Sequence, residues 1–232
     1  MKFLPFCLFL SVFILSSCSE GPKDNDDMID ESLIVNKEES GQRNYYIDSL
    51  KSFISWSGSN GDISHYGIVH IDNGYITITD SLLSGGMIRV RMSSIEVLDL
   101  RDNPADKQKL YEFLTSKEVF DVGNFPNAQF EIDSVSKISA TGKTANKKSD
   151  FTNFVPTHTI YGKLSVRGTT RQIDFPVKID MRYYRLQGWA DFTLNSYILG
   201  IAVAQDSLNI SASRSQVPQT IRLGLDIIAA AQ

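Results

Sequence analysis

Gly162-Lys163-Leu164-Ser165-Val166-Arg167-Gly168-Thr169-Thr170-Arg171-Gln172-Ile173-Asp174-Phe175-Pro176-Val177-Lys178-Ile179 reads as two strands joined by one turn. Leu164 and Val166 alternate with polar neighbours, Arg167-Gly168-Thr169 carries a turn signal, and Ile173, Phe175, Val177 and Ile179 resume the alternation. An apolar residue at every second position gives a strand one apolar face. So short a connection makes the pair antiparallel, because parallel strands need a crossover of about a dozen residues or more.

The same period extends in both directions. Ile54 and Trp56, Ile76 and Ile78, Ile88, Val90 and Met92, and Phe130 and Ile132 alternate with polar residues. So do Phe192 and Leu194, and finally Ile221, Leu223, Leu225 and Ile227. Asp72-Asn73-Gly74 and Ser84-Gly85-Gly86 read as turns between strands. One helix interrupts the series: Asn103 can cap it, Pro104 suits its first position, and Leu110, Phe113 and Leu114 form its apolar stripe. Residues 139–157 are rich in Lys, Thr, Asn and Ser and read as a long loop. About eight strands of this kind form either a sandwich or a closed barrel, and the period alone does not choose between them.

The first 17 residues read as a secretory signal. Lys2 precedes an apolar run from Phe3 to Leu15, broken only by Pro5, Cys7 and Ser11. Such a run is short for a bilayer span, which takes roughly 20 residues. Leu15-Ser16-Ser17-Cys18 resembles the lipobox of bacterial lipoproteins, in which the cysteine is acylated and becomes the first mature residue. The expected organisation is a signal peptide over 1–17, lipidated Cys18 with an acidic disordered tether over 18–44, and one domain over 45–232. Such processing leaves no thiol for a disulfide, so the domain must be held by its core. Ser19 to Asn44 holds eight acids against three bases, and the remaining chain beyond Lys2 is formally neutral. A segment so charged and so poor in apolar residues cannot offset its ordering entropy. No basic patch suggests nucleic acid. The expected location is the bacterial cell envelope, as an outer-membrane lipoprotein on the periplasmic face or the cell surface.

Four segments are similar to motifs of the YceI-like family, in the family's order. Glu118-Val119-Phe120-Asp121-Val122-Gly123-Asn124-Phe125-Pro126-Asn127-Ala128-Gln129-Phe130 resembles its most distinctive motif. His65-Tyr66-Gly67-Ile68-Val69, the strand from Gly86 to Ile95, and the hairpin from Gly162 to Arg171 resemble three others. The resemblance implies an all-β fold, an eight-stranded antiparallel lipocalin-like barrel with one short helix inserted. It also implies an apolar lumen that in some members holds an isoprenoid or a similar long-chain amphiphile, with a homodimer left open. Two positions depart from the family pattern: Arg91 stands where the family has Asp, and Asn195-Ser196-Tyr197-Ile198-Leu199-Gly200 lacks the family's arginine.

Alternation nominates the lumen residues: Trp56, Val69, Ile76, Ile78, Ile88, Val90, Met92, Phe130, Leu164, Val166 and Phe175. Phe113 and Phe120 join them from the helix and the segment after it, where they either close the core or line an entrance. Catalytic, metal and cofactor chemistry is not expected. There is no His-Glu-x-x-His, Gly-x-Ser-x-Gly or Cys-x-x-Cys. Gly142-Lys143-Thr144 resembles the end of a phosphate-binding loop but lacks its upstream glycine. His65 and His70 fall on opposite faces of one regular strand and read as structural. Glu96, Asp99 and Asp102 read as a solvated loop. The expected function is non-enzymatic carriage or storage of an isoprenoid or fatty-acyl ligand by a lipid-anchored protein. The alternative is a barrel filled by its own side chains that binds a partner protein through its surface or the 139–157 loop. An enzyme would need a polar constellation at a barrel mouth, which the sequence does not display.

Overall fold

The alternating segments form strands that wrap around one lumen, in a computed structural model that describes residues 41–60, 63–138, 154–201 and 220–231. The signal peptide, Cys18, the tether up to residue 40 and most of the 139–157 loop lie outside the described residues. In chain order the first strands are β1 (Gln42–Ile47), β2 (Phe53–Asn60), β3 (Ile63–Thr79), β4 (Leu82–Arg91) and the two-residue β5 (Glu96–Val97). Helix α1 (Pro104–Thr115) follows, then β6 (Asn127–Lys137), β7 (His158–Val166), β8 (Thr169–Arg182), β9 (Arg185–Asn195) and β10 (Thr220–Ala231). β1 begins at Gln42, so residues 42–44, read from sequence as tether, belong to the sheet. They pair with Thr77, Ile78 and Thr79 of β3, and that pairing satisfies backbone groups a free tether would leave to water.

Pairing runs β2-β3-β4-β6-β7-β8-β9-β10 and returns from β10 to β2, all antiparallel, which closes an eight-stranded barrel. β1 lies in the same stave as β2: Tyr45–Ile47 pair with Ala231–Ala229 of β10, and Phe53–Gly58 pair with Asp226–Ile221. Between them Asp48–Ser52 loops out, and buried Ser52 stitches the break by exchanging hydrogen bonds with the backbone of Ile228. Closure removes the two edge strands that an open sheet of these eight strands would have.

Two sequence turns are not turns. Asp72-Asn73-Gly74 lies inside β3, where Asp72 is an extra residue opposite β4, and Ser84-Gly85-Gly86 lies inside β4 at a second shift of register. A glycine within a strand marks a bulge or a close approach as readily as a turn. At Gly74 an added Cβ would lie 2.5 Å from the Met87 carbonyl, so only glycine lets β3 and β4 approach this closely. The bulge has a second effect. It reverses the parity of β3, so that Val69 and Ile71 before it and Ile76 and Ile78 after it all face the lumen and are buried. The true β3–β4 turn is Asp80-Ser81, both with positive φ (49° and 64°). Arg167-Gly168 is a turn as expected, with φ of 49° and 69° between paired Val166 and Thr169. Positive φ at both central residues matches the right-handed twist of the flanking strands.

Helix α1 starts where its sequence signals place it. The Asn103 side chain accepts the N–H of Asp106 at 3.2 Å and Pro104 occupies the first turn. None of its residues is fully buried. Its stripe packs against the barrel end through half-buried Phe113 and Leu114.

Candidate functional site

The lumen is divided across its height. At the α1 end lies a cavity of about 550 Å³, whereas a cavity in the opposite half holds about 40 Å³. A volume of the first size suits a lipid tail or other small apolar ligand, and the second is about one water's worth. On β4, β6 and β10 the boundary falls between successive inward residues. Ala128 lines the cavity and Phe130, two residues on, does not; Val90 and Leu223 line it, Ile88 and Leu225 belong to the packed half. Three rings fill that next layer. Phe175 stacks on Phe192 with centroids 4.2 Å apart and planes at 6°, and Phe130 meets Phe175 at 5.3 Å.

Eight of the thirteen candidate lumen residues line the cavity: Trp56, Val69, Val90, Met92, Phe113, Phe120, Leu164 and Val166. The other five, Ile76, Ile78, Ile88, Phe130 and Phe175, face the lumen but lie buried in the packed half. The structure therefore separates one set that shapes open space from one that fills it. One half of the lumen is filled by side chains, as in the alternative of a filled barrel, and the other half is open.

Further lining residues come from places where alternation says little. Val119, Leu199 and Ile201 sit in irregular segments, Leu110 and Leu114 on α1, and Ile95 and Leu100 in the connection leading to it. Ile54, Ile221 and Leu223 follow the strand period and were legible as inward residues. Each part of the motif from Glu118 to Phe130 has a local reason. Val119 is buried, Phe120 borders the cavity, and Asp121 turns the chain with φ of 48°. Phe125 lies over Gly168 of the hairpin turn, where a Cβ would come within 2.9 Å of its ring. Ala128 is small, and the space it leaves is cavity.

The wall over this cavity is tied together by Arg167. Its guanidinium donates to the Gly200 carbonyl at 3.2 Å and to the Lys117 carbonyl, joining the β7–β8 turn to the segment after α1 and to the 3-10 turn Ser196–Leu199. Of the two departures from the family pattern, Arg91 pairs with Asp72 at 3.2 Å and does not line the cavity, whereas the Asn195–Gly200 segment borders it through Leu199.

Among the described residues, charged side chains meet the lining at the α1 end. Lys109 and Asp106, paired at 3.0 Å, are largely exposed and mark where the cavity reaches solvent. His65 lines the wall beside them, with Nδ1 2.6 Å from Asp99 Oδ2. Asp99 is no solvated loop residue: its side chain is 13% exposed and also accepts the Tyr66 N–H at 3.0 Å. Burial would raise its carboxyl, but the Tyr66 N–H and the His65 hydrogen bond outweigh that and hold it below the ordinary value. His65 and Asp99 are 34 residues apart in sequence, and β5 brings them together by pairing with β3. His70 faces outward and meets Glu96 at 3.2 Å, while His158 bonds Thr157. Among the described residues no group of His, Cys, Asp and Glu could hold a metal ion. Nor is any described helix long and apolar enough to cross a membrane.

The YceI-like domain family matches residues 45–229. No curated protein matches the chain. Among solved structures, Burkholderia cenocepacia BcnA is 13% identical with a TM-score of 0.56, over 79% of this chain and 99% of BcnA, and shows the same barrel fold. A polyisoprenoid binding domain from Saccharophagus degradans, implicated in plant cell wall breakdown, is 12% identical over 81% of this chain and 98% of its own, with a TM-score of 0.49. The Campylobacter jejuni YceI protein is 12% identical over 65% and 73%, with a TM-score of 0.43.

Proposed function

Because the chain belongs to the YceI-like domain family, we propose that it is a non-enzymatic carrier that takes the apolar tail of an isoprenoid or fatty-acyl lipid into the α1-end cavity. The observation that carries this reading is the open apolar half-lumen of about 550 Å³ above a layer of packed phenylalanines. Each CH₂ transferred from water contributes about 0.8 kcal/mol, so a tail of about twelve carbons yields roughly 10 kcal/mol gross. Association costs several kcal/mol of that, which leaves reversible binding suited to carriage.

Organic extracts of the protein purified from its native envelope, read by mass spectrometry, test the reading. A stoichiometric long-chain species supports it. A stable protein that purifies empty and binds no long-chain probe refutes it. A128F gives the matching variant: the ring fills existing space, so tail binding should be lost while Tm holds or rises.

We further propose that the carrier is held at the envelope by lipid on Cys18. The support is the apolar run from Phe3 to Leu15 and the Leu-Ser-Ser-Cys ending. Palmitate labelling that persists in Cys18→Ser would refute the anchor.

A further inference from the structure

We infer that His65 Nε2 seats the polar end of the ligand, and that this end is an uncharged hydroxyl, as in a long-chain alcohol. The inference rests on the apolar-tail reading above and adds the chemistry of the head.

Among the described residues, four side chains bring nitrogen or oxygen to the cavity lining: Trp56, His65, Asp106 and Lys109. Three of them are spoken for. Trp56 Nε1–H donates to the Ile68 carbonyl at 3.3 Å. Asp106 accepts from Lys109 Nζ at 3.0 Å and from Asn103 Nδ2 at 2.6 Å, so acid and amine satisfy each other at the rim. His65 uses only Nδ1, toward Asp99. Its Nε2 is the side-chain nitrogen of the lining that has no partner among the described residues. A half-buried ring nitrogen left over an apolar cavity loses its water when a tail enters, and that loss is a cost unless the ligand brings a partner.

The Asp99 contact sets what that partner must be. A carboxylate only accepts hydrogen bonds, so the ring nitrogen facing it carries the proton. In the neutral ring Nε2 is then a bare acceptor, and the group that completes it is a donor. A hydroxyl donates; an ester or ether does not. An anion is disfavoured: a carboxylate or a fully ionised phosphate lacks the proton that Nε2 needs. Tyr66 and the β5 pairing fix Asp99 in place, so the tautomer is built into the scaffold before a ligand arrives.

Three probes with the same decyl chain test this on the full chain by titration calorimetry: 1-decanol, decyl methyl ether and decyl phosphate. One hydrogen bond should make decanol about threefold to tenfold tighter than the ether. In His65→Leu that ratio should fall to about one. An unchanged ratio in His65→Leu, or decyl phosphate as the tightest probe on the unsubstituted chain, overturns the head-group assignment while leaving the tail reading intact. If none of the three binds, the tail reading falls and this site falls with it. His65→Leu strands Asp99, so His65→Leu/Asp99→Leu, which removes both polar groups, is the second variant. Nitrogen NMR of the unsubstituted chain reads the same point without any substitution, since it carries only three histidines. The expected pattern is Nδ1–H on His65, with Nε2 moved by decanol and not by the ether. An Nε2–H tautomer in the free protein overturns the proposal.

Discussion

A methyl group at Gly67 would run into the carbonyl oxygen of Glu96 and lie 2.7 Å from the Trp56 ring. Trp56 pairs with Gly67 across β2 and β3, so its indole lies over the one residue that offers no side chain. G67A should therefore cost about 3 kcal/mol or more, the upper end of overpacking, because a backbone atom must move. It should also disturb β5, and through it Asp99. Thermal melts and the near-ultraviolet signal of Trp56 check this, and a melt within 1 °C of the original would refute the close packing. Asp226 offers a second measurement at this scale. It faces outward between Phe53 and Trp189, and burial pushes its carboxyl above the ordinary value. A raised folded pKa means that the native state holds the proton more tightly. The associated stability is present below the unfolded value and is lost as pH rises through the folded one. D226N should raise Tm at neutral pH and lose that advantage below about pH 4. An equal gain at pH 3 would point to packing instead of charge.

At the scale of elements, α1 and the strands respond differently to damage. α1 buries no residue fully and borders the cavity through Leu110, Phe113 and Leu114. Its N-terminus depends on Asn103, and N103A should remove about 1 kcal/mol of helix stability. The barrel ladder does not pass through α1, so global Tm should barely change while α1 amides exchange faster and bound probe leaves faster. A fall in Tm with unaltered probe release would show that α1 braces the barrel and does not cover the site. The helix was legible in the sequence because its cap, its proline and its stripe are all local. The bulges in β3 and β4 were not. Gly74, Gly85 and Gly86 carry the same local signal as turns, and only the partner strand, whose Met87 carbonyl crowds Gly74, decides that the chain runs on.

Across the whole molecule, the half-filled lumen sets a length limit. In a series of normal alcohols, affinity should rise about fourfold per added CH₂ while the tail descends through the cavity. It should level off once the tail meets the layer of Phe130, Phe175 and Phe192. F175A should move the break to longer chains, at a stability cost of about 3–5 kcal/mol. A rise that continues unbroken to sixteen carbons in the unsubstituted chain would mean that the tail leaves by another route.

The sequence by itself determined the class of fold, the capped helix and, within the stretches that alternate, the face each side chain takes, because a period of two assigns a face. Four motifs in order determined the family. Height in the barrel is not encoded in any one strand. Ala128 opens space and Phe130 closes it, and whether a gap results depends on what other strands set beside them, such as Val90 opposite Ala128 and Leu164 opposite Phe130. Register, bulges and closure decide that, and they arise only when all eight staves are assembled. The His65–Asp99 contact is of the same kind. It joins two residues that are unremarkable where they stand in the chain, and it exists because β5 returns to pair with β3 at the mouth of the cavity.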